Sequence, residues 1–159
     1  MRTAAHPDPI HGSCIRLLVQ PPSEEGDGIS LSQLRAMSRA CAEEVCPYAP
    51  DYGDAAALVT SELATNALRY GAEDDEPVYV AFPTCPRAFQ VRVLDPSPKL
   101  PEECVAHDDD EAGRGLFLVH HFTAQYGGRL DVEVTEAGKA VVCTLPSPVL
   151  RLAAVEVPA

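Results

Sequence analysis

The stretch Ser61-Glu62-Leu63-Ala64-Thr65-Asn66-Ala67-Leu68-Arg69-Tyr70-Gly71 decides how this chain is read. It is rich in helix formers, and Gly71 is a natural helix stop. At 100° per residue, Leu58, Glu62, Asn66 and Arg69 share one face, while Ala56, Val59, Leu63, Ala67 and Tyr70 share another. The second set is the expected core face. Glu62 and Asn66 are four residues apart and so stand one above the other. A carboxylate and a carboxamide so placed can hold a hydrated magnesium ion and orient a hydroxyl group or a water. A solvated helix face also carries such pairs commonly, so this segment needs company before it means chemistry.

Working outward, Cys14 to Gln20 reads as a strand and residues 21–28 as a loop rich in Pro, Gly and acids. Ser30 is placed to cap a helix over about 31–46, ended by Pro47 and Pro50. The helix that contains Glu62 then runs over about 54–70. Two strand-like runs follow, 78–82 and 89–94, the second alternating apolar and polar as a half-buried strand does. Residues 96–112 form a proline- and acid-rich loop. Gly113-Arg114-Gly115 then opens an apolar run, Leu116 to Tyr126, that fits a helix, and 129–135 with 139–145 make a hairpin around Glu136-Ala137-Gly138. The order βααββαββ predicts an α+β fold: a mixed, mainly antiparallel sheet covered on one face by three helices. The expected organisation is a flexible lead over 1–13, one domain over 14–146 and a C-terminal tail over 147–159.

Two further motifs stand at element ends. Asp95, in Val93-Leu94-Asp95-Pro96-Ser97-Pro98, follows an apolar strand, where it can accept a hydrogen bond from an exocyclic amino group or simply start a turn. In Glu111-Ala112-Gly113-Arg114-Gly115-Leu116, two glycines at a loop-to-helix junction let backbone N–H groups approach a phosphate, and Arg114 between them can pair with an anion. No Gly-Lys-Ser/Thr follows, so this is not a Walker loop, and it does not stand where a dinucleotide fingerprint would.

Composition narrows the classes. The 159 residues carry 24 Asp and Glu against 12 Lys and Arg, a formal net charge of −12. That argues against direct nucleic-acid binding, which needs a basic footprint, and against an anionic membrane surface. The excess is local. Glu73-Asp74-Asp75-Glu76 and the stretch from Pro101 to Ala112 hold ten of the acids and no Lys or Arg, leaving 14 acids against 12 bases elsewhere. The six cysteines lack zinc-like clustering and read as small buried hydrophobes. With neither an export signal nor a run of about 20 apolar residues, the expected location is cytoplasmic.

Taken in order and spacing together, the three motifs resemble the ATP-binding domain shared by gyrase B, Hsp90, sensor histidine kinases and mismatch-repair ATPases. Within that superfamily the sequence is most similar to the small stand-alone anti-sigma-factor serine kinases, over roughly residues 14–146. The resemblance implies a Bergerat-type ATP-binding fold with ATP and Mg²⁺ as cofactors. It implies that Glu62 is the catalytic general base and Asn66 the Mg²⁺ ligand. Asp95 would accept from the adenine amino group, and Gly113, Arg114, Gly115 and Leu116 would form the glycine box at the phosphates, with Arg69 nearby. The implied partners are a sigma factor and a serine-bearing anti-sigma-antagonist protein, and a homodimer is compatible. The alternative within the resemblance is a non-catalytic ATP-dependent module that sequesters a partner. Three positions depart from the pattern: Ser97 stands where many members carry glycine, Tyr126 where Trp is usual, and Lys139 where several relatives have Thr. None of the five histidines lies on the two helices between Leu31 and Tyr70, so a phosphoaccepting histidine there is not expected.

Overall fold

Local chemistry sets the element boundaries of the computed structural model, which describes residues 14–19, 28–71, 76–97 and 111–149. The first strand, β1, is Cys14–Val19. Helix α1 (Leu31–Val45) starts where Ser30 is extended and its Oγ accepts from the Gln33 N–H at 3.2 Å, while Gln33 Oε1 accepts from the Ser30 N–H at 2.9 Å. This reciprocal capping box satisfies two donors that a helix start leaves free.

Pro50 does not end that helix from a distance; it opens the next. Helix α2 runs Pro50–Asn66, so it starts four residues before the expected position. Proline lacks the N–H that a first-turn residue cannot pair anyway, and its fixed φ already fits a helix. The acid in that turn, Asp51, suits the positive helix end. Small side chains then bury α2 nearly all round: Ala55, Ala56, Ala57, Thr60, Ser61 and Ala64 are buried beside Val59 and Leu63. The two-faced reading was too narrow for a helix at the centre of the molecule.

A π-helical turn, Ala67–Gly71, follows α2 directly. Its wider i→i+5 spacing breaks the 100° rule. Tyr70, expected in the core, is therefore 62% exposed, whereas Ala67 and Gly71 are buried.

Strands β2 (Val78–Pro83) and β3 (Ala88–Asp95), helix α3 (Glu111–Gln125), and strands β4 (Arg129–Thr135) and β5 (Gly138–Pro146) complete the order. The sheet order is β1-β2-β3-β5-β4, with antiparallel pairing throughout the named strands. The parallel component is an isolated bridge between Val19 and Ile29. Alternate residues face the helices, as the pleat requires. Val78, Val80 and Phe82, then Phe89, Val91 and Val93, then Val141, Cys143 and Leu145 join Leu34, Tyr52, Val59, Leu63 and Val119 in one core. The result is the expected α+β architecture.

Tyr52 ties the layers together. Its hydroxyl donates to the Leu145 carbonyl at 2.6 Å and accepts from the Phe89 N–H at 2.7 Å, and its ring meets Tyr126 edge-on at 5.2 Å. Burial pushes its phenol up to about 12.

Cys46 and Cys143 are buried thiols, as small hydrophobes should be, while Cys41 and Cys85 are part-exposed. Burial pushes the Cys143 thiol up to about 11. Among the described residues no helix is long and apolar enough to cross a membrane. The expected lead (1–13), most of the 21–28 loop, Glu73 to Asp75, residues 98–110 and the tail from Leu150 lie outside the described residues.

Candidate functional site

The site is built along α2 and its π-helical turn. Glu62 is half-buried, and its carboxylate lies against the start of α3: a Cβ placed on Gly115 would collide with Glu62 Oε2. Gly115 therefore leaves open the space that the tip of the carboxylate occupies. One turn further on, Asn66 is half-buried, and its Nδ2 is buried without a hydrogen-bond partner. A half-turn of the carboxamide exchanges nitrogen for oxygen at the same place. Asn66 thus keeps a polar atom in reserve for something that the protein does not itself supply.

At the far end, Gly71 packs on Asp95, and a Cβ there would overlap the whole carboxylate. Gly138, at φ +132°, closes the other side, because a Cβ would strike the Asp95 carbonyl and Pro96. Asp95 is 6% exposed. Its Oδ1 accepts from the Ser97 N–H at 2.8 Å, so it does start a turn. Its Oδ2 pairs with Lys139 Nζ at 2.7 Å, and the same ammonium donates to the Ser97 carbonyl at 3.0 Å. The β3–β5 register sets this pair, with Asp95 directly opposite Lys139.

Glu62 and Gly71 stand nine positions apart along α2 and the π-helical turn. Arg69, on the π-helical turn, and Arg114, in α3, are exposed, and Leu116 is half-buried. Helix α3 starts at Glu111, so Gly113, Arg114 and Gly115 lie within its first turns and not ahead of them. The N–H groups left free by the helix start are consequently those of Glu111 to Gly113, and the Gly115 N–H turns to the Glu111 carbonyl.

The structure thus brings Glu62 to Gly115 and Asp95 to Gly71, with Asn66 between them on one continuous helical stretch. Sequence reading left Lys139 without a role and took Gly71 only as a helix stop. A hairpin centred on residues 136–138 puts Lys139 at the start of a strand, but the sheet order is what sets that strand beside β3. Two clefts lie elsewhere, about 410 Å³ between α1 and the β2–β3 turn and about 310 Å³ between the start of α2 and the end of α3; neither touches Glu62, Asn66 or Asp95.

Among the described residues no three His, Cys, Asp or Glu side chains gather as a metal cage. Magnesium does not need one, because it usually keeps waters and substrate phosphates and takes only one or two protein ligands. Asn66 fits that donor set through its carboxamide oxygen; the unpartnered Nδ2 is a hydrogen-bond donor and is not the ligand atom.

A search of curated proteins found no match. Among solved structures, the chain is similar to the blue-light activated histidine kinase of Erythrobacter litoralis, at 23% identity and a TM-score of 0.46 over 61% of this chain and 31% of that one. It is also similar to the histidine kinase domain of that protein, at 20% identity and a TM-score of 0.47 over 73% of this chain and 60% of that one. The chain thus spans 31% of the first and 60% of the second, less than two thirds of either. The family described as histidine kinase-like ATPase domain matches residues 27–145, a segment that contains Glu62, Asn66, Gly71, Asp95, Gly115 and Lys139. By that match, which covers more than half of the sequence and takes in both ends of the site, the chain belongs to the histidine kinase-like ATPase family and is an ATP-binding domain.

Proposed function

We propose that this ATP-binding domain is a magnesium-dependent protein-serine kinase and an anti-sigma factor. Its acceptor would be a serine on an anti-sigma-antagonist protein, and its alternative partner a sigma factor, with nucleotide state switching between them. The observation that carries the kinase reading is the Glu62 carboxylate seated against Gly115 at the start of α3. On this reading Glu62 is the general base, beside a helix start that favours phosphate.

In the transfer step, Glu62 takes the proton of the incoming serine hydroxyl. The serine oxygen forms a bond to the γ-phosphorus as the bond to the β-phosphate oxygen breaks, and ADP leaves. Arg114 and the free N–H groups at the start of α3 hold the γ-phosphate, and Arg69 faces the same solvent. Asn66 would hold Mg²⁺, which when bound supplies neutralising charge for the phosphates. Asp95 holds the base. Nothing in this scheme uses nucleic acid directly or a membrane surface, in keeping with the net charge of −12.

The test is transfer from γ-labelled ATP to candidate antagonist domains from the same genome, after a pull-down finds the partner. Serine label that disappears in Glu62→Gln is the expected result. ATP binding without label would replace the kinase with a non-catalytic, ATP-dependent module that sequesters its partner.

A further inference from the structure

We propose that Lys139, paired with Asp95, governs base selection and opens the site to guanine as well as adenine. The inference rests on the reading of Asp95 as the residue that faces the base. A carboxylate alone is acceptor-only. It suits the 6-amino group of adenine and repels the 6-oxygen of guanine held in the same place. Here the carboxylate does not stand alone.

Lys139 Nζ lies 2.7 Å from Asp95 Oδ2 and 3.0 Å from the Ser97 carbonyl, which uses two of its three N–H bonds. The third remains for a ligand. Each Asp95 oxygen receives one hydrogen bond, from Lys139 or from the Ser97 N–H, and keeps a lone pair. The pair therefore offers a donor beside an acceptor. Adenine matches it, giving its amino hydrogen to Asp95 and taking the ammonium hydrogen at N1. Guanine also matches it, giving its N1–H to Asp95 and taking the ammonium hydrogen at O6.

The pair is also fixed in place. Both side chains are at most 7% exposed, Gly71 packs on the carboxylate while Gly138 packs on the Asp95 backbone carbonyl, and the strand register holds Lys139 opposite. A dry, rigid donor–acceptor pair discriminates by the hydrogen bonds that it leaves unmade.

The experiment measures ATP, GTP and ITP affinities of the full chain by calorimetry; ITP carries the 6-oxygen and N1–H without the 2-amino group. GTP and ITP are expected within about tenfold of ATP. Lys139→Met removes the ammonium hydrogen from both bases but leaves the guanine and hypoxanthine 6-oxygen beside a bare carboxylate, so GTP and ITP should weaken at least tenfold more than ATP. Because that change strands a buried carboxylate, the neutral double variant Asp95→Asn/Lys139→Met is measured alongside, and thermal melts confirm that each is folded. A parent chain that binds ATP but rejects GTP and ITP by more than about a hundredfold overturns this inference and leaves the ATP reading intact. So does Lys139→Met with an unchanged ATP-to-GTP ratio. Failure of the parent to bind any of the three overturns the nucleotide reading itself.

Discussion

At Gly115 and at Gly71 a carboxylate occupies the space where a side chain would be. In Gly115→Ala the added methyl displaces Glu62 from the start of α3. The expected outcome is a fall in serine transfer of about a hundredfold, in the range that general-base catalysis contributes, with ATP affinity changed far less. Single-turnover kinetics beside calorimetry separates the two. Asn66→Ala should remove the magnesium dependence of ATP binding; a Kd ratio with and without Mg²⁺ that matches the parent would sink the ligand assignment. Asp95→Asn leaves Lys139 charged and buried without its anion. Removing one member of such a pair costs about 3–5 kcal/mol, which denaturant titration would register. At this scale the sequence was informative about Glu62, Asn66 and Asp95, because motif spacing along one chain is a local property. It was silent on Lys139 as a partner of Asp95, because their contact depends on which strands become neighbours.

Elements were legible wherever a local device marks them. Ser30 with Gln33 forms the capping box that starts α1, and Ser30→Ala should cost about 1 kcal/mol, read as a drop in the thermal midpoint. Pro50 shows the limit of that approach, since the same residue ends one helix and begins another. The observed start of α2 follows from its fit at a first turn, with Asp51 beside it. The π-helical turn is harder still. Nothing in Ala67-Leu68-Arg69-Tyr70-Gly71 announces an extra residue in the turn, and a fixed 100° step therefore sends Tyr70 inward. The seating of Gly71 on Asp95 is a tertiary fact, and it coincides with the place where the helix widens.

Across the whole molecule, Tyr52 joins α2 to β3 and β5 through two buried hydrogen bonds. Tyr52→Phe should lower stability by about 1–3 kcal/mol, because a carbonyl and an N–H lose their partner together. The same residue predicts an alkaline limit. Its phenol lies at about 12 in the fold against 10.0 when free, so the unfolded chain releases that proton first. The resulting stability is fully present below pH 10.0 and is lost as pH rises toward 12. Cys143, at about 11 against 9.0, adds a loss of the same sign beginning at lower pH. Urea titrations from pH 8 to 12 should show this decline, with a shallower slope in Tyr52→Phe. By itself the sequence determined the order of elements, the α+β class and the residues that carry the motifs, because periodicity, caps and turn chemistry act over a few neighbours. Only the tertiary structure decided that Lys139 meets Asp95, that Glu62 needs Gly115 and that Tyr70 faces water, because strand register, close approach of backbones and helix widening are settled by packing between segments far apart in the chain.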